Sequence, residues 1–221
     1  MRVVAKLSST NSGPADLGVG ICEVSQGQRH VGFVYRLRDD QELRFAHLAF
    51  HLLYRDEAAD THPDLYCAPS GLDEINRSIV ASWLAALKFP QNIPYGFDSE
   101  GVVWHADGEF IPPPPGKGLT CATFLIATLR FLGFNVVDLS SWPQRPEDGN
   151  WQDAMRLSIQ NYCDLHAVDA QEHLNLLQAD VGAVRVRPEE AAAIVVSQQL
   201  PVPFEEASAL AAQILDDLAS H

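Results

Sequence analysis

Among 221 residues, the grouping with the clearest chemical meaning is Gly116-Lys117-Gly118-Leu119-Thr120-Cys121, a turn that gives way to the apolar run Ala122–Leu132, which Gly133 stops. A cysteine in the first turn of a helix faces unpaired backbone N–H groups and the positive end of the helix dipole. Both favour the thiolate, so Cys121 is a candidate nucleophile with a depressed pKa. The plainer expectation is a small buried hydrophobe at the start of a core helix.

A thiol nucleophile needs a base, and histidine has the unperturbed pKa for it. Eight histidines are available. His47 and His51 lie in Phe45-Ala46-His47-Leu48-Ala49-Phe50-His51, where a period of two puts them on one face of a strand. His30 opens the apolar stretch Val31-Gly32-Phe33-Val34-Tyr35. His166 and His173 fall in polar helical sequence and read as surface positions. His105, Asp107 and Glu109 alternate near a turn and read as solvated side chains. The four cysteines, 22, 67, 121 and 163, show no Cys-x-x-Cys pair and no zinc-type Cys/His spacing, so they read as separate thiols and no metal or cofactor is expected.

These residues need a framework. Leu17–Ser25, Val31–Leu37, Leu43–Tyr54 and Leu65–Ala68 read as antiparallel strands, with turns at 26–28 and 38–40. From Asp73 to Leu87, Ile75, Ile79, Val80, Trp83 and Leu84 recur at helical spacing. A rigid aromatic loop, Asn92–Asp98, and a hairpin through Val102–Trp104 and Glu109–Ile111 follow. Pro112–Pro115 should deliver the chain stiffly to the turn before Cys121. Beyond it, Asn135–Leu139 reads as a strand, and Trp151–Cys163, Ala170–Ala179, Pro188–Gln199 and Pro203–Ala219 as helices. The expected class is α+β, as one domain spanning 1–221, with a core over about 18–140 and a helical C-terminal extension over about 150–221.

Composition limits the partners. Twenty-nine acidic against fifteen basic residues give a net charge of −14, which repels phosphate backbones, so nucleic acid is not expected. The first residues lack the apolar stretch of a signal peptide and no run approaches a membrane span, so no membrane partner is expected and the expected compartment is the cytoplasm.

Gly118-Leu119-Thr120-Cys121-Ala122-Thr123-Phe124-Leu125, leading into Leu129-Arg130-Phe131-Leu132-Gly133, resembles the nucleophile helix of papain-like hydrolases of the NlpC/P60 superfamily. The histidine strands precede the cysteine here, which resembles the circularly permuted branch containing YiiX-like and lecithin:retinol acyltransferase-like proteins. Ile93-Pro94-Tyr95-Gly96-Phe97 is similar to that branch's aromatic loop. The resemblance covers roughly residues 30–134. It implies a permuted papain-like fold, with an antiparallel sheet packed on the cysteine helix, and a cysteine hydrolase that cleaves a peptide or isopeptide bond through a thioester.

Two alignments of the base remain. The preferred one makes His47 the base of Cys121, with the third group sought near Asp64. The other makes His30 the base and His47 the orienting group, and His51 is a further candidate. The expected partner is a peptide or protein substrate, including an isopeptide-linked protein. A catalytically silent interaction module and a lipid or ester acyltransferase are the alternatives.

Overall fold

A computed structural model describes residues 2–8, 13–25, 27–37 and 42–220. The turn expected at 38–40 and the Gln26 end of the other expected turn lie outside them. Six strands form one antiparallel sheet: β1 (Ala5–Lys6), β2 (Leu17–Ser25), β3 (Gln28–Tyr35), β4 (Arg44–Phe50), β5 (Leu53–Ala58) and β6 (Tyr66–Pro69), in the order β1-β6-β2-β3-β4-β5. Six helices follow the strands in part: α1 (Glu74–Ala86), α2 (Cys121–Phe131), α3 (Pro146–His166), α4 (Gln171–Ala179), α5 (Pro188–Val196) and α6 (Phe204–Ala219). A small hairpin, β7 (Val103–Trp104) with β8 (Phe110–Ile111), lies between α1 and α2. This is an α+β architecture with an antiparallel sheet.

Strand alternation explains the layers. Leu17, Val19, Ile21, Val31, Phe33, Ala46 and Leu48 belong to the main core with Phe124 and Leu125 of α2. Cys22, Val34, Phe45 and Cys67 form a smaller cluster with Leu65. The sheet thus has two apolar faces, and a residue's parity decides which one it joins.

The stretch Leu43–Tyr54, expected as one strand, is a hairpin. β4 and β5 pair from Arg44↔Ala58 to Phe50↔Leu53, with a register shift between Leu48 and Phe50. The turn at His51-Leu52 carries no glycine or proline. Leu52 takes φ 58°, and its N–H donates to the Ile93 carbonyl at 2.9 Å. A tertiary hydrogen bond offsets a conformation that its side chain disfavours, which local sequence cannot reveal. The turn also separates His47 from His51, which therefore do not share a face.

Asn135–Leu139 is not a strand: only Val137 makes an isolated parallel bridge, to Val202. Helix α3 starts five residues earlier than expected, with Pro146 in its first turn, where a missing N–H costs nothing. Helix α5 ends at Val196 and is buried along its length, because Ala191–Val195 offer no polar face to solvent. It packs on α2, β2, β3 and α6, so the last third of the chain supplies core rather than a separate appendage. No helix among the described residues is long and apolar enough to cross a membrane.

Candidate active site

Helix α2 begins at Cys121, as the sequence suggests. Thr120 caps it: its Oγ1 accepts from the Thr123 amide at 3.1 Å, and the Thr123 Oγ1 accepts from the Thr120 amide at 2.7 Å. The two Tyr95-side and cysteine-side loops run side by side. Leu119 N–H donates to the Pro94 carbonyl at 2.9 Å, and Gly118 N–H to the Asp98 carbonyl at 2.9 Å. A Cβ on Gly96 would lie 2.6 Å from the Gly118 nitrogen, so this approach requires glycine.

That pairing brings the Tyr95 phenol to the nucleophile, where it meets both the backbone N–H and the thiol of Cys121. Burial drives the phenol's pKa well above its ordinary value, so it remains a neutral donor. The thiol departs from the expected depression. Burial raises its pKa, and this outweighs the Val31 amide, the Arg185 charge and the amides of Ala122 and Cys121 itself, all of which favour the thiolate. Desolvation of a residue only 6% exposed exceeds the helix-terminus effect.

Cys121 lines a cleft of about 280 Å³ with His30, His47, His62, Tyr95, Trp151 and Arg185 among its walls. Strand β3 pairs with β4 only over Phe33–Tyr35, so its first residues are free on that flank. The cleft passes beside them, and residues from either side of the sheet reach it.

The histidines form a chain. His30 Nε2 lies 2.6 Å from His47 Nδ1, His47 Nε2 lies 3.3 Å from Glu57 Oε1, and His62 Nε2 lies 2.9 Å from the same oxygen. Burial lowers the His30 pKa to about 3 and the His47 pKa to about 4, in the latter case against the pull of Glu57. Burial would raise the Glu57 pKa, but hydrogen bonds from His62 and His47 hold it below the usual range. The ionised carboxylate therefore accepts a hydrogen bond from His47 Nε2–H. The His47 Nδ1 lone pair then accepts from His30 Nε2–H, and His30 Nδ1 is left as a free lone pair.

This arrangement reorders the expected site. Both ring nitrogens of His47 are occupied, so it lies in the middle of the chain, whereas His30 Nδ1 has no hydrogen-bond partner among the described residues. No hydrogen bond among them joins a histidine to the Cys121 sulfur. His51 serves elsewhere: its Nδ1 accepts the Tyr95 amide at 3.1 Å, and burial lowers its pKa to about 4. Asp64 is exposed and pairs with Lys6 at 2.8 Å, outside the cleft.

His173, read as a surface residue, is buried. Its Nδ1 accepts from the Gly116 amide at 3.0 Å and its Nε2 donates to the Tyr95 carbonyl at 2.9 Å, so it clasps the two loops that meet at Cys121. His173→Ala is expected to destabilise the fold by about 1–3 kcal/mol, because two buried backbone groups lose their partner. Urea unfolding checks it, and an unchanged midpoint would show that the loops hold without the clasp. The acids near His105 are not a ligand set: Lys88 pairs with Asp107 at 2.6 Å and with Glu109 at 3.7 Å.

Glu57, His62 and Arg185 were not singled out from sequence. Arg185 lies over the Trp151 ring, 3.4 Å from its centre, and is held by Asp148 at 3.2 Å. The one available signal was Val184-Arg185-Val186-Arg187-Pro188, two closely spaced arginines in a strongly acidic chain. No family model, no curated protein and no solved structure matches this chain.

Proposed function

We propose that the chain is a cysteine hydrolase acting on an amide bond, with Cys121 as nucleophile, His30 as base, and His47 and Glu57 orienting that base. The observation that carries this reading is the hydrogen-bonded chain Glu57–His47–His30, whose last member lines the cleft of Cys121. A base held in one tautomer by a second group anchored to a carboxylate is the logic of nucleophilic triads.

In the resting site the thiol and the imidazole are both neutral, because burial disfavours the charged form of each. Attack is then general-base assisted. The Cys121 proton passes to His30 Nδ1 as the sulfur–carbon bond forms, and the carbonyl π electrons move to the oxygen. The Cys121 amide and the Tyr95 phenol are the donors placed to receive that oxyanion. Collapse breaks the carbon–nitrogen bond, and His30 returns its proton to the leaving amine. Water, deprotonated by the same imidazole, then hydrolyses the thioester.

The test is capture of the acyl-enzyme. An activated p-nitrophenyl ester is expected to add one acyl mass to Cys121, with none in Cys121→Ala. Failure to acylate with ester and peptide-amide probes alike would return the chain to the interaction modules. The acylation rate should be flat from about pH 5 to about pH 9. Protonation of His30 removes the base only near its pKa of about 3, and the thiol ionises only above the ordinary value of 9.0. A rate rising tenfold per pH unit across neutrality would instead indicate a free thiolate pathway without the base.

A further inference from the structure

His62 does not belong to the relay, yet it points at the same carboxylate oxygen as His47. One ring nitrogen each of His47 and His62 and a Glu57 oxygen all lie within 4.8 Å of one another. Two of the separations, 3.3 Å and 2.9 Å, are close to the edge of about 3.3 Å that a tetrahedron with bonds of 2.0–2.1 Å requires. Two imidazoles and a carboxylate suit zinc, and the cleft leaves a fourth position to water. His47 is buried, whereas the side chains of His62 and Glu57 are 27% and 38% exposed, so an ion has an entry path. The supporting shell exists as well, since His47 Nδ1 already contacts His30, which can take a proton from it.

We propose that His47, Glu57 and His62 form a zinc site whose occupation switches off the base. The switch, unlike the site, rests on the assignment of His30 as base. The argument is one of proton position. With Glu57 as the partner, His47 carries its proton on Nε2 and His30 has a free Nδ1. A metal needs the His47 Nε2 lone pair, so the proton must sit on Nδ1 and be donated to His30 Nε2. His30 then carries its own proton on Nδ1, facing the cleft, and cannot accept another. Each imidazole keeps one proton, and the relay runs in the opposite sense. Zinc acts here as a reversible inhibitor that never touches the sulfur.

The test uses zinc alone as the probe. In a Cys121→Ser background, competition with a chromophoric chelator is expected to give one ion per chain, and His62→Gln to weaken binding at least tenfold. Cobalt in the same background should give the visible spectrum of a four-coordinate nitrogen and oxygen site, without a thiolate charge-transfer band. In protein with Cys121 intact, zinc should slow acylation at least tenfold, and chelator should restore it. The ratio of rates with and without zinc should be near one in His62→Gln. Absence of binding in the Cys121→Ser protein, or a thiolate band, overturns the site. Binding that leaves the acylation rate unchanged overturns the switch. Absence of acylation in metal-free protein strikes the hydrolase reading and the switch with it, while the binding and cobalt data still decide the site.

Discussion

His30→Gln lowers the rate of Cys121 acylation by about 10²–10⁴-fold, the usual contribution of a positioned base, and His47→Asn costs less. The asymmetry follows from the hydrogen-bond directions. Within the chain Glu57–His47–His30, His30 keeps a ring nitrogen without a partner, whereas His47 has its Nδ1 on His30 and its Nε2 on Glu57. An asparagine carbonyl at 47 can still accept from His30 Nε2–H and hold the productive tautomer. His47→Phe leaves His30 free to rotate, so its loss should exceed that of the asparagine variant. Single-turnover release of p-nitrophenol measures all three. If His47→Asn costs about 10²-fold or more while His30→Gln retains more than about a tenth of the rate, the base is His47 and the relay runs the other way. Thermal melts of each variant separate this effect from misfolding.

That experiment addresses the point at which sequence reading stopped. Cys121 was legible because its helix announces itself locally: a threonine cap, an apolar run at helical spacing and a terminating glycine. The histidine pair was legible as residue types, and the hydrogen bonds set His47 between His30 and Glu57. Sequence spacing cannot give that order, because it measures chain length, whereas the relay depends on which nitrogen faces which neighbour. His51 was drawn into the candidate face by a period-two count that holds only while the strand continues. The Leu52 turn, held by the Ile93 carbonyl, breaks that count without any local signal. Glu57 lies on β5 two positions from Arg55, the register partner of His47, and His62 reaches the same carboxylate from just beyond the 3₁₀ turn Ala59–Thr61, neither of which has a local signal. The depressed thiol pKa failed for a quantitative reason: the helix terminus is real, but burial opposes it and is stronger. The α+β class and the antiparallel hairpins follow from patterning. The role of the C-terminal third does not, because its apolar α5 is indistinguishable from an appended helix until its packing on α2 is known.

That third of the chain also determines the largest expected effect on stability. Asp148 is 2% exposed and accepts from Arg145 Nε at 2.6 Å, Arg187 Nε at 3.0 Å and Arg185 Nη1 at 3.2 Å. Burial would raise its pKa, but Arg145 and Arg187 hold it below the ordinary value. Its loss is not shared equally among the three arginines. Arg145 keeps Glu190, and Arg187 keeps the exposed Glu147. Arg185 is left with no carboxylate partner among the described residues, over the Trp151 ring and beside the Cys121 cleft. A buried cation stripped of its counter-charge costs about 3–5 kcal/mol, far more than a surface pair would. Asp148→Ala is therefore expected to lower the unfolding free energy by about that amount, read as a shift in the urea midpoint at constant slope. Asp148→Ala combined with Arg185→Met should recover a large part of it, since the stranded charge is removed along with its partner. A change of under about 1 kcal/mol in the single variant would mean that water solvates the arginines. The cleft wall would then depend on the apolar contacts of Trp151 and Val186 rather than on this carboxylate.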